Sequence, residues 1–169
     1  MPDRISLFSY AHLPERFAAQ RKFAEETLPS SEEKAALYKL AVNSFTNIGY
    51  EMIGLDHFAL SKDSLAIAKN KGELHRNFQG YTLRGDTDLI GFGVSAISTV
   101  GNAFAQNAKE LKEYYRRLDN HLPNAKVGLS LSVDDLIRRD VISSLMCNLA
   151  VDKQAIADKH HIIFDEYFA

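Results

Sequence analysis

A chain of 169 residues, 46% of them hydrophobic, suffices for one substantial core or two small ones and excludes wholesale disorder. A formal charge of −2 gives no general attraction for nucleic acid or an anionic membrane, and the chain has neither a signal-peptide core nor a long apolar span, so a cytoplasmic protein is expected. The single cysteine, Cys147, excludes an internal disulfide and any site that needs several thiolates from this chain.

In chain order, "RISLFSY" (4 to 10) alternates as a strand and runs into Tyr10-Ala11-His12-Leu13-Pro14, where Pro14 turns Leu13 away from helix. In "SSEEKAALYKLAVNSFTNIG", Ser30 and Glu33 fit a capping box. Leu37, Leu40, Ala41, Phe45 and Ile48 share one helix face, and Gly49 suits the stop. "YEMIGL" predicts a strand that delivers Asp56-His57-Phe58 at its end, completing a strand–helix–strand unit of the kind found in parallel α/β sheets.

A modest helix is expected over 61 to 71, begun by Ser61 and ended near Gly72. The glycine-rich stretch 75 to 98 follows, and in it "DLIGFGVSAIST" suggests a buried strand interrupted by glycines. "NAKELKEYYRRLDNHL" predicts helix up to Pro123, and "KVGLSLS" a short strand. Ser132, with Asp135, caps a helix carrying Cys147 as a buried thiol, and "DKQAIADKHHIIFDEYFA" continues as helix. The change to helix after about Ser130 marks an expected domain boundary, giving segments 1–130 and 131–169.

Asp56-His57 is the best acid/base candidate, because a histidine titrates near neutral pH and a carboxylate can orient it. Neighbours on a strand point to opposite faces, so a direct pairing of the two is left open. His12 and His75 are comparable candidates; His121 and His160-His161 lie in polar helix-end surroundings. No His-Glu-x-x-His spacing, phosphate-binding glycine loop or Gly-x-Ser-x-Gly turn occurs, so metal, nucleotide-hydrolysis and serine-hydrolase motifs are lacking. Phe78 and Gln79 suit stacking on and hydrogen bonding to a heterocycle, and equally suit a core aromatic and a loop amide.

Four stretches in order, "DRISLFSYAHLPERF", "GYEMIGLDHFA", "LHRNFQGYT" and "DLIGFGVSAIS", resemble successive signatures of the oxygen-independent coproporphyrinogen III oxidases, radical S-adenosylmethionine enzymes of haem biosynthesis. "RRDVISSLMCN" resembles the start of that family's C-terminal helical domain. The resemblance implies the C-terminal part of an incomplete (β/α) barrel of parallel strands, followed by the start of a mainly helical domain.

It also implies a parent oxidoreductase that oxidatively decarboxylates two propionates of coproporphyrinogen III to vinyl groups, giving protoporphyrinogen IX. In that family a [4Fe-4S] cluster, held by a Cys-x-x-x-Cys-x-x-Cys motif, generates the 5′-deoxyadenosyl radical. This sequence has no such motif, so the chain is expected to be a middle-to-C-terminal fragment, inactive without the cluster-binding half, with exposed edges that favour self-association. Ala11, Phe78, Gln79 and Ile97 match the family's contacts to a second S-adenosylmethionine; Asp56 and His57 match a signature too. A haem-binding chaperone-like relative, or a stand-alone module meeting a tetrapyrrole through His12, His57 or His75, is the alternative.

Overall fold

The computed structural model describes residues 1–85 and 87–169. It is an α/β structure whose contacts divide it into two compact units, Met1–Glu73 and Leu74–Ala169. The change from strand to helix near Ser130 falls inside the second unit.

The first unit is built on a three-stranded sheet of β1 (Arg4–Ser6), β2 (Tyr50–Gly54) and β3 (His57–Leu60), in the order β1-β3-β2. Helix α1 (Ser31–Asn47) connects β1 to β2, and α2 (Ser64–Lys71) follows β3. The Ser30–Glu33 capping box forms, and Gly49 takes a φ of 94° just past the helix end, as the sequence predicts. Two short 3₁₀ turns, Ala18–Lys22 and Glu25–Thr27, lead into α1.

The parallel strand–helix–strand expectation is corrected here. β1 and β2 do run the same way, but "HFAL" is itself strand-forming and inserts between them, antiparallel to both. Among the described residues every strand pairing is antiparallel. Tyr50, Ile53, Phe58, Ala59, Leu65, Ala66 and Ala68 form the buried core, with the Phe45 ring edge-on to Phe58 at 5.1 Å. Not every apolar position of the expected face joins it: Ala41 is half-buried, while Leu37 and Leu40 on α1 and Ile48 just past its end stay exposed.

Two boundaries also move. The first strand stops at Ser6, and α2 begins at Ser64, because the carboxylate of Asp63, not the Ser61 hydroxyl, accepts the helix-end N–H of Leu65. Asp63 also takes the Arg4 guanidinium at 2.9 Å. Burial pushes its carboxyl up, but the hydrogen bonds from Arg4 and Leu65 outweigh this and leave it below the ordinary value.

The second unit opens with a hairpin of β4 (His75–Asn77) and β5 (Gly80–Thr82). Next comes an antiparallel sheet of β6 (Ile97–Val100), β7 (Ala103–Asn107) and β8 (Ala125–Ser130), in that order, with α3 (Leu111–Asp119) joining β7 to β8. Helices α4 (Val133–Asn148), α5 (Lys153–His160) and α6 (Phe164–Tyr167) complete it. Ser132 and Asp135 form the expected capping box, and His161, at a φ of 54°, ends α5 where the sequence suggests continuous helix.

"DLIGFGVSAIST" is not one buried strand. Leu89 bridges to Thr99, and the residues between form a loop folded back on β6, because Gly93 and Ser95 both take positive φ and reverse the chain. Tyr81 donates its hydroxyl to the Met146 carbonyl at 2.9 Å, tying the first hairpin to α4. Cys147 is buried as expected, and burial pushes its thiol up. Among the described residues no helix is long and apolar enough to cross a membrane.

Candidate functional site

In the first unit the candidate residues lie where β1 ends and the β2–β3 turn begins. The loop 7 to 14 is irregular, and Gln20 holds it: its Oε1 accepts the Leu13 N–H at 2.6 Å and its Nε2 donates to the Ala11 carbonyl at 3.0 Å. Ala11 is therefore exposed on a loop whose backbone is fixed from both sides. Nothing in the spacing of Gln20 announces this role.

Asp56 and His57 do pair. Asp56 lies in the turn rather than on a strand, so the alternation argument does not apply, and its Oδ1 stands 2.8 Å from His57 Nδ1. The turn is anchored twice. Leu7 donates its N–H to the Asp56 carbonyl at 2.7 Å, and Tyr38 on α1 donates its hydroxyl to the Leu55 carbonyl at 2.6 Å. Leu55 itself adopts a φ of 46°, a left-handed conformation that leucine disfavours. The Phe8 ring meets the His57 ring edge-on at 6.1 Å, and a cavity of about 240 Å³ opens on the far reach of the same loop, lined by Phe8, Tyr10, His12, Lys34 and Tyr38 among others. The Asp56 carboxylate thus fixes the orientation of the His57 ring through Nδ1.

In the second unit Phe78 and Gln79 are the two residues at the tip of the β4–β5 hairpin, between Asn77 and its partner Gly80. Asn77 Oδ1 accepts the Gln79 N–H at 2.9 Å, and Gly80, at a φ of 126°, supplies the backbone shape the turn requires. The Asn-x-x-Gly pattern was the available sequence signal for this tip. The Phe78 ring is 59% exposed, so the core-aromatic alternative is set aside, and its edge meets Phe104 at 5.4 Å.

Ile97 pairs with Gln106, and Thr99 with Phe104, which puts Ile97 on the same sheet face as the ring that Phe78 touches. The Gln79 side-chain amide makes no hydrogen bond among the described residues and is exposed. These groups suit S-adenosylmethionine in kind: an open ring for stacking, an uncommitted amide for polar atoms and an apolar wall. Ala11 belongs to the first unit and the other three to the second.

The glycine loop beside Ile97 is held by a side chain the sequence reading missed. Asn107 donates its amide to the carbonyls of Gly91 at 3.3 Å and Gly93 at 2.9 Å, and Phe92 between them is 90% exposed. A Cβ on Gly91 would stand 2.7 Å from the Ile97 carbonyl oxygen, so glycine is required there by space. Among the described residues no three His, Cys, Asp or Glu side chains converge as metal ligands, and His160 is engaged by Asp140 at 2.7 Å.

A chain of these antiparallel sheets and capped helices matches a solved enzyme along nearly its whole length. The structure described as "Coproporphyrinogen III oxidase (HemN) from Escherichia coli is a Radical SAM enzyme" superposes with a TM-score of 0.94 at 50% identity, covering 99% of this chain and 39% of that one. In sequence the chain is 51% identical over 168 residues to the oxygen-independent coproporphyrinogen III oxidase of Salmonella typhimurium. It is 45% identical over 172 residues to that of Synechocystis. Each alignment covers 99% of this chain and 37% of the relative.

No protein-family model matches. The chain is a homologue of part of the oxygen-independent coproporphyrinogen III oxidases, and it spans little more than a third of the length of these relatives.

Proposed function

We propose that this chain supplies part of an enzyme that oxidatively decarboxylates two propionates of coproporphyrinogen III, and that its own share is one of two S-adenosylmethionine positions together with a portion of the substrate surroundings. The observation that carries the proposal is the hairpin tip of Phe78 and Gln79, whose ring and amide are both presented to solvent, on a chain half identical to the named oxidases. Phe78 stacks on the adenine or touches the sulfonium, Gln79 hydrogen-bonds polar atoms, and Ile97 and Ala11 supply apolar contacts. When bound and reductively cleaved, S-adenosylmethionine supplies a 5′-deoxyadenosyl radical.

The chain's residues do not fit the [4Fe-4S] cluster that such cleavage requires. Cluster ligation takes several thiolates, and the sequence holds one cysteine, which is buried with its thiol pushed up. The cluster therefore belongs to a segment resembling the remaining two thirds of the relatives, which on this proposal also completes an incomplete (β/α) barrel. The residues after 130 begin its helical C-terminal domain. Asp56 and His57 hold or move a proton beside the substrate, Asp56 orienting the ring through Nδ1.

Isothermal titration of the chain with S-adenosylmethionine tests the reading. Binding that weakens at least about tenfold in Gln79→Ala and in Phe78→Ala, at unchanged circular dichroism, supports it; loss of one good polar or stacking contact is worth about 1.4 kcal/mol or more. No binding, or binding that neither variant alters, overturns it.

A further inference from the structure

The cavity in the first unit has a composition of its own. It is about 240 Å³ and is lined mainly by aromatic and aliphatic side chains, including Phe8, Tyr10, Leu37 and Tyr38. Two lining residues carry basic nitrogen, His12 and Lys34, and among the described residues no carboxylate lines it. The Lys34 ammonium makes no ion pair or hydrogen bond among the described residues. Glu33, its neighbour in sequence, turns its carboxylate to the Ser30 N–H at 2.8 Å and forms no salt bridge with it among the described residues. His12 faces the Tyr10 hydroxyl through Nδ1 at 3.4 Å, and its Nε2 has no partner among the described residues.

An unneutralised lysine on an apolar, aromatic-walled cavity is complementary to an organic anion: a flat apolar body with a carboxylate at one end. The size narrows the choice. An apolar cavity of about 150 Å³ takes benzene. A cavity of about 240 Å³ thus has room for a single five-membered ring with a short acidic chain, and none for a whole tetrapyrrole macrocycle.

We propose that this cavity is a carboxylate pocket that receives one pyrrole ring edge with its propionate, Lys34 pairing with the carboxylate, His12 donating a second hydrogen bond, and Phe8 and Tyr38 flanking the ring. That the propionate is one of the substrate's rests on the function proposed above; that the pocket selects a ring-borne carboxylate does not. The placement has a consequence for the site. Phe8 both lines the cavity and meets the His57 ring at 6.1 Å, so a propionate held by Lys34 brings the ring that bears it against a side chain in contact with the Asp56–His57 pair.

The test is titration of the chain with indole-3-propionate and with its methyl ester, followed by amide chemical shifts of residues 7 to 12 and 34 to 38, for the wild type, Lys34→Gln and Lys34→Arg. The acid is expected to shift these amides and to bind at least about tenfold more weakly to Lys34→Gln, while Lys34→Arg retains binding and the ester binds as poorly as the acid does to the glutamine variant. Equal binding of acid and ester, indifference to Lys34→Gln, or no shifts at these residues overturns the inference. Lys34 sits in the exposed first turns of α1, so circular dichroism of the variants is expected to match the wild type. Titration with S-adenosylmethionine on the same samples keeps the two failures apart. A working Lys34 pocket without cofactor binding sinks the S-adenosylmethionine position proposed above and leaves the pocket standing, and cofactor binding without the Lys34 effect sinks the pocket alone.

Discussion

Gly85 lies against the ring of His75. A Cβ built at position 85 would stand 2.0 Å from His75 Nδ1, a distance no pair of unbonded atoms tolerates. The two residues flank the hairpin that carries Phe78 and Gln79, so their contact fixes how that hairpin begins and ends. Gly85→Ala is expected to destabilise the chain by about 1–3 kcal/mol, the usual cost of overpacking. His75→Ala in the same molecule should recover most of that loss, because the obstructing ring is gone. A urea-denaturation double-mutant cycle measures this; additive effects would show that the two positions do not collide.

Asn107 holds two carbonyls of the glycine loop with one amide. Asn107→Ala leaves both without that donor in a half-buried setting, and an expected loss of about 1–3 kcal/mol follows from the unmade hydrogen bonds. Hydrogen exchange should rise selectively at residues 91 to 98, including Ser95, whose N–H otherwise donates to the Ala108 carbonyl at 2.9 Å. Unchanged exchange in this segment would mean that the loop is held without the asparagine.

Asp140 joins α4 to α5. Its Oδ2 lies 2.7 Å from both Lys159 Nζ and His160 Nε2. Burial pushes its carboxyl up, but the hydrogen bonds and charges of Lys159 and His160 outweigh burial, and the net effect holds it below its ordinary value. A carboxyl depressed by folding contributes stability that is fully present above its unfolded pKa, near 3.8, and is lost as the pH falls through the lower folded value. Asp140→Asn is therefore expected to destabilise at neutral pH, and the gap from wild type should close as the pH drops below about 4. Denaturation midpoints measured from pH 7 down to pH 3 check this; a gap independent of pH would refute it.

Apolar side chains stand in solvent on two elements. Leu40 on α1 is 62% exposed with Leu37 and Ile48 beside it, and on β8 both Val127 and Leu129 are exposed along a strand paired only on its β7 side among the described residues. Such edges and stripes recruit partners. The chain is expected to self-associate at micromolar concentration, and Val127→Lys with Leu40→Lys to shift it toward monomer in light scattering coupled to size exclusion. A wild type that remains monomeric would disprove this.

The helices were the legible part of the fold, because capping is local chemistry: Ser30 with Glu33 and Ser132 with Asp135 mark helix starts within four residues. Strand partnership was less so. "HFAL" looks like the tail of the preceding strand, and only the tight turn at Leu55-Asp56 makes it a separate strand lying between two others. The glycine stretch misled in the opposite sense, since its apolar residues suggest burial while Gly93 and Ser95 bend the backbone outward and leave Phe92 in solvent.

Of the candidate residues, Phe78, Gln79 and Ile97 in the second unit and Ala11 in the first were named through motif resemblance, and Asp56 and His57 through their chemistry. The residues that hold them, Gln20, Tyr38 and Asn107, lie 7 to 17 positions from the groups they fix, at spacings that carry no periodic signal.

The left-handed leucine before Asp56 gives the acid/base pair an unusual dependence. A leucine at positive φ is disfavoured by roughly 1–2 kcal/mol, so the turn does not hold its shape by local preference. Its carbonyl is held instead by a phenol projecting from α1, one turn of helix beyond Lys34. The turn that presents Asp56 and His57 is thus braced in part by a helix that contains neither residue. Removing the phenol hydroxyl alone, as in Tyr38→Phe, is expected to loosen the turn that carries the pair without touching either residue.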